Sequence, residues 1–64
     1  NIVADVLIGM SDIFSDFLTD DGILIMSGII VERKDEVIDA VKSQGFEVVS
    51  VAEKDGWAAV SMKK

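Results

Sequence analysis

Gly22-Ile23-Leu24-Ile25-Met26-Ser27-Gly28-Ile29-Ile30-Val31 is the stretch on which the fold turns. It is almost wholly apolar, rich in β-branched residues and opened by glycine, a pattern that suits a strand buried on both faces. The segments on either side read as helices. A strand between two helices is the unit of a doubly wound α/β sheet, in which ligands gather at the C-terminal ends of strands. Here that end is read as Ser27-Gly28.

Upstream, Val3, Val6, Leu7, Met10, Ile13, Phe14, Phe17 and Leu18 follow the i, i+3, i+4, i+7 spacing of one helix face for about four turns. Asp5, Ser11, Asp12, Ser15 and Asp16 fall opposite. The helix is expected to stop near Leu18, in the polar turn Thr19-Asp20-Asp21-Gly22. Gly9 lies inside it at about 1 kcal/mol disadvantage to Ala, a cost that close packing on the sheet would explain.

Downstream, Glu32-Arg33-Lys34-Asp35-Glu36 marks a helix start. Val37, Ile38 and Val41 continue it over Arg33–Gln44, with Gly45 as the stop. Phe46-Glu47-Val48-Val49-Ser50-Val51-Ala52 reads as a strand, Glu53-Lys54-Asp55-Gly56 as a tight hairpin turn, and Trp57-Ala58-Ala59-Val60-Ser61-Met62 as the returning strand. The order is helix, strand, helix, strand, strand, with no internal repeat or linker.

The last strand carries small residues facing both ways, as if it lay between two others. The apolar central strand would then keep one edge unpaired, which another part of a parent protein or a second copy of the chain would have to cover. A chain of 64 residues makes one small domain of marginal stability. Since it opens on Asn, it is expected to be a piece of a longer polypeptide.

Composition narrows the function. Half of the residues are hydrophobic and 28% are charged, which is a globular balance. Twelve acidic against six basic residues give a net charge of −6, which repels a phosphate backbone and argues against nucleic-acid binding. Without Cys or His there is no disulfide, thiolate nucleophile, imidazole base or usual zinc ligand. The longest apolar run is about half the ~20 residues a membrane-spanning helix needs. The expectation is a protein with no membrane segment.

The candidate sites are few. Asp12, Asp16 and Asp20 are spaced four apart and could approach a hard cation, but charges opposite an apolar stripe are the ordinary solvated face of a helix, and no metal site is assigned. Gly22 and Gly28 do not have the spacing of a phosphate loop. Ser27 has no His to activate it and reads as a small residue where the chain leaves the sheet. Trp57 reads as a packing anchor. Asn1 is singled out by position: directly ahead of the first helix, it would sit at the tip of a preceding strand, with an amide able both to accept and to donate, though a helix cap is the simpler role.

Asn1-Ile2-Val3-Ala4-Asp5, Leu24-Ile25-Met26-Ser27-Gly28-Ile29-Ile30, Asp35-Glu36-Val37, Gly45-Phe46-Glu47-Val48-Val49 and Gly56-Trp57-Ala58-Ala59-Val60, taken in this order, resemble the C-terminal part of the methyltransferases that modify ribosomal protein L11, the PrmA type. The resemblance covers the whole chain. It departs at Thr19-Asp20-Asp21-Gly22, where the family usually has a Lys-Pro-Gly-Gly-like turn.

The resemblance implies an α/β fold. Residues 1–64 would form the C-terminal half of a seven-stranded Rossmann-like methyltransferase sheet, with the last hairpin antiparallel and its final strand inserted between the other two. It also implies S-adenosylmethionine as cofactor, held mainly by earlier strands not in this chain, with Asn1 as the cofactor-binding residue present. No catalytic residue is assigned. The implied activity is methylation of lysine or N-terminal amines of a ribosomal protein in the cytoplasm. The fragment alone would be inactive and would self-associate through its open strand edge. Two alternatives stand beside this: a free-standing acidic α/β interaction or dimerisation module, and a methyltransferase of another substrate class.

Overall fold

The computed structural model describes residues 2–64, so Asn1 lies outside the described residues. The elements are α1 (Ile2–Met10), a 3-10 helix (Ser11–Phe17), β1 (Ile23–Ile30), a 3-10 turn (Val31–Arg33), α2 (Lys34–Lys42), β2 (Glu47–Lys54) and β3 (Trp57–Lys63). The element order is the one expected. The first helix is not continuous, however, because it tightens after Met10. There Ser11 Oγ donates to the carbonyl of Ile8 at 2.9 Å, and Ser and Asp, residue types that compete with the helix for backbone hydrogen bonds, hold four of the six positions 11–16. In the tighter helix residues three apart eclipse, and Ser11 and Phe14 are both buried.

The sheet order is β1-β3-β2, with β3 antiparallel to both neighbours. The small residues of β3 therefore belong to a central strand. Ala59 lies opposite Ala52, and Ser61 lies opposite Ser50 on one side and Ile25 on the other. The hairpin closes on Asp55 and Gly56, at φ of +54° and +85°, the paired positive angles of a two-residue turn that Asp-Gly favours.

β1 runs through Ser27-Gly28 to Ile30 rather than ending there. Its pairing with β3 shifts register between Met26 and Ile29, and Gly28 sits at φ +72°. An extra residue here lets Met26 and Ile29, three apart, both face the core, which a regular two-residue repeat would forbid. Ser27 thus forms part of a bulge, not a chain exit. The N–H of Val31 continues the ladder to the carbonyl of Gly56 at 3.0 Å.

α1 and α2 touch one another and cover one face of the sheet. Ala4, Phe14, Met26, Ile29, Val37, Val41, Phe46, Ala58, Val60 and Met62 form the core between them. The expectation that β1 is buried on both faces does not hold in this chain, since Ile25 is 70% exposed on the uncovered side. The apolar spacing of the first helix likewise splits in two. Ala4, Leu7, Phe14 and Leu18 turn to the core, whereas Ile2, Val6, Met10, Ile13 and Phe17 form a second, exposed stripe. A helix with two apolar faces is built to be covered on both.

Two glycines differ in whether the fold needs their size. At Gly22 a Cβ would stand 2.8 Å from Leu18 Cδ2 and 3.1 Å from the Thr19 carbonyl, which accepts from the Gly22 N–H at 2.9 Å in the same turn. At Gly9 an added Cβ meets nothing within 4 Å, so Gly9 does not serve close packing on the sheet. Gly9→Ala is accordingly expected to stabilise the chain by about 0.5–1 kcal/mol through lower backbone entropy of the unfolded state and better helix propensity, read as a higher urea midpoint. A lower midpoint would show that this position needs glycine.

Candidate functional site

The C-terminal half of β1 is where the described elements converge. α1 begins beside it: a Cβ on Gly28 would lie 3.9 Å from both methyls of Val3. α2 starts from the turn that follows β1, and the hairpin meets it through Val31 and Gly56. In α/β sheets this end collects ligand contacts because helix starts and loops gather there. A shallow depression of about 260 Å³ opens at this level, lined by Ser27, Gly28, Ala52, Lys54, Trp57 and Ala59 among others. Trp57 is 52% exposed, which makes it the wall of an open depression rather than the buried anchor read from the sequence.

Charged groups are paired between the elements that meet near this end of β1. Arg33 Nη2 donates to Asp5 Oδ1 at 2.7 Å, and Nε and Nη2 donate to the two carboxylate oxygens of Glu36 at 2.7 and 3.0 Å. Lys34 Nζ donates to Glu53 Oε2 at 2.7 Å, tying the start of α2 to the hairpin. These hydrogen bonds set the local protonation. The Arg33 guanidinium holds the carboxyls of Asp5 and Glu36 below the ordinary carboxylate range, and Glu53 raises the Lys34 ammonium. The carboxylate contributions to stability are therefore complete above the ordinary carboxylate range and are lost as pH falls through their depressed values.

The sequence-derived candidates do not all come together. Ser27 and Gly28 share the depression with Trp57, while Asp12, Asp16 and Asp20 are exposed and do not line it, and no group of metal-ligating side chains gathers among the described residues. Asn1 lies outside the described residues, so its role as a cofactor contact has no geometry here. The Arg33 network was not read from the sequence. Arg33 and Glu36 are three apart at a helix start and could have been paired, but Asp5 is 28 positions away and only folding brings it in. No helix among the described residues is long and apolar enough to cross a membrane.

Residues 1–64 match, over their whole length, the family described as ribosomal protein L11 methyltransferase (PrmA). The chain belongs to the ribosomal protein L11 methyltransferase family. Relatives carrying that name include one from Acetivibrio thermocellus, 41% identical over 98% of this chain and 20% of its own length. Another, from Macrococcus caseolyticus, is 39% identical over 100% of this chain and 21% of its own. One from Streptococcus mutans is 41% identical over 100% of this chain and 20% of its own. The chain thus spans about a fifth of the length of the L11 methyltransferases it matches.

Proposed function

We propose that this chain is the C-terminal part of a seven-stranded Rossmann-like domain whose intact protein transfers a methyl group from S-adenosylmethionine to lysine or N-terminal amines of a ribosomal protein in the cytoplasm. The observation that carries the reading, beyond family membership, is the sheet. A reversed β3 lies between β1 and β2, and the outer edge of β1 together with the outer stripe of α1 forms a surface shaped for further strands and helices.

The cofactor would supply an electrophilic methyl on a cationic sulfonium. Such a donor needs surroundings without a net positive charge: Arg33 and Lys34 are both paired with carboxylates, and the charged side chains lining the depression are Lys54 and Glu53, one of each sign. With it bound, a neutral substrate amine would take the methyl group, an N–C bond replacing the C–S bond and the amine's surplus proton leaving to water. No covalent enzyme intermediate is needed, so a chain without His or Cys can contribute through orientation and exclusion of water. Asn1 is the residue assigned to this work, its side-chain carbonyl accepting from the incoming amine and its NH₂ donating to the cofactor.

Calorimetric titration of the intact protein with S-adenosylmethionine is expected to give saturable heat. Asn1→Ala in that protein is expected to lower turnover by roughly 10²-fold, the loss typical of one oriented polar contact at a reacting centre. A folded protein that gives no heat, or an Asn1→Ala variant with full turnover, would count against the assignment. The 64-residue chain alone, lacking the earlier strands, is expected to be inactive and to associate with itself.

A further inference from the structure

We infer that the depression at the bulge of β1 is a subsite for the polypeptide substrate, taking an apolar side chain against Trp57 with a neighbouring carboxylate on Lys54. This rests on the methyltransferase reading and deepens it by giving the acceptor a place on this chain. The strand register builds the site. Ala52 lies opposite Ala59 and Lys54 opposite Trp57, and the period of two puts these four side chains on one face of the hairpin. Ala58, Val60 and Met62, which alternate with them along β3, are buried against the helices, so that face is the uncovered one. On the other side of β3 the bulge sets two residues, Ser27 and Gly28, against Ala59 alone. Two alanines and a glycine leave the floor low, and the half-exposed Trp57 ring stands beside it.

The polar side chains that border this hollow are unsatisfied. Lys54 has no ion pair and the Ser27 hydroxyl no hydrogen bond among the described residues, whereas Arg33 and Lys34 are both paired with carboxylates. Glu53, which also borders it, gives its carboxylate to Lys34 at 2.7 Å. Two donors beside apolar surface remain, and the group that satisfies an ammonium and a hydroxyl together is a carboxylate. A hollow of about 260 Å³ open to solvent cannot enclose most of a free ligand's surface, which favours a segment of polypeptide over a small molecule. A side chain on a polypeptide held elsewhere needs no such enclosure, because its tether supplies a high effective concentration. The place agrees as well, since the C-terminal half of β1 is where an α/β sheet gathers ligands.

The test uses the intact protein, with the indole N–H resonance of Trp57, assigned by its loss in Trp57→Phe, as the reporter. N-acetyl-phenylalanine is the probe, and its primary amide, which keeps the ring without the charge, is the control. The acid is expected to shift the resonance saturably and to bind roughly 2- to 5-fold more tightly than the amide, the range of a solvent-exposed ion pair. Lys54→Gln, at an exposed position, is expected to bring the acid down to the amide. The same variant is expected to raise the KM for the ribosomal protein substrate several-fold, while the heat of S-adenosylmethionine binding stays that of the unsubstituted protein. Equal binding of acid and amide, no shift of the Trp57 resonance by either, or an unchanged KM in Lys54→Gln overturns the subsite and leaves the functional reading standing where S-adenosylmethionine still gives heat. A folded protein that gives none overturns the functional reading, and with it the assignment of this subsite to a substrate.

Discussion

Ile29→Ala is expected to leave the 64-residue chain largely unfolded at 25 °C. Ile29 is fully buried and follows the bulge that turns it to the core face, opposite Ala58 of the central strand. Truncating a buried Ile to Ala costs about 2–5 kcal/mol, because the lost transfer energy is joined by the cavity left behind. A single core in a chain this short rarely supplies more than about 3–5 kcal/mol. The loss is of the same size as the whole stability. Circular dichroism of the variant should show most of the native signal gone, and urea unfolding should have no folded baseline. A variant that keeps a folded baseline and loses less than about 1 kcal/mol would mean that the core tolerates collapse around this position.

The second large effect concerns association. By itself the chain is expected to sediment as a dimer or larger species at micromolar concentration. Among the described residues the outer edge of β1 has no strand partner, Ile23 and Ile25 are 48% and 70% exposed along it, and Phe17 at the end of the 3-10 helix that follows α1 is 77% exposed. Unpaired backbone groups beside apolar side chains template the pairing of another strand. A lysine placed on such an edge opposes this, because its charge would be buried by a partner. Ile25→Lys combined with Val6→Glu is therefore expected to return the chain to a monomer without disturbing the core, since neither residue faces it. A wild-type chain that is monodisperse and monomeric would remove the argument from the open edge. The intact protein, with that edge covered, is expected to show no such effect from this surface.

Much of this architecture is legible in the residues because the signals are local. The Asp55-Gly56 pair dictates its turn through positive φ, and the apolar run 23–30 dictates a strand through β-branching. The small residues of 58–61 announce a strand with neighbours on both sides. What escaped were features that depend on pieces distant in sequence. The bulge at Ser27-Gly28 reflects the need to bring Ile29 back to the core face opposite β3, and the exposure of Ile25 reflects both helices packing on the same side. The split of the first helix into an inner and an outer stripe is invisible to periodicity, because both stripes are apolar and only the position of the sheet distinguishes them.

The site divides in the same way. Ser27, Gly28 and Trp57 could be named from the sequence, but their meeting in one depression follows from the pairing of β1 with β3. Family membership is carried by the order of short motifs along residues 1–64. By itself the sequence determined the elements, their order and the family, since these rest on backbone preference and on patterns within a few residues. The tertiary structure alone decided which apolar face is core, where β1 bends, and that Arg33 reaches Asp5 across 28 positions, because each depends on two segments meeting.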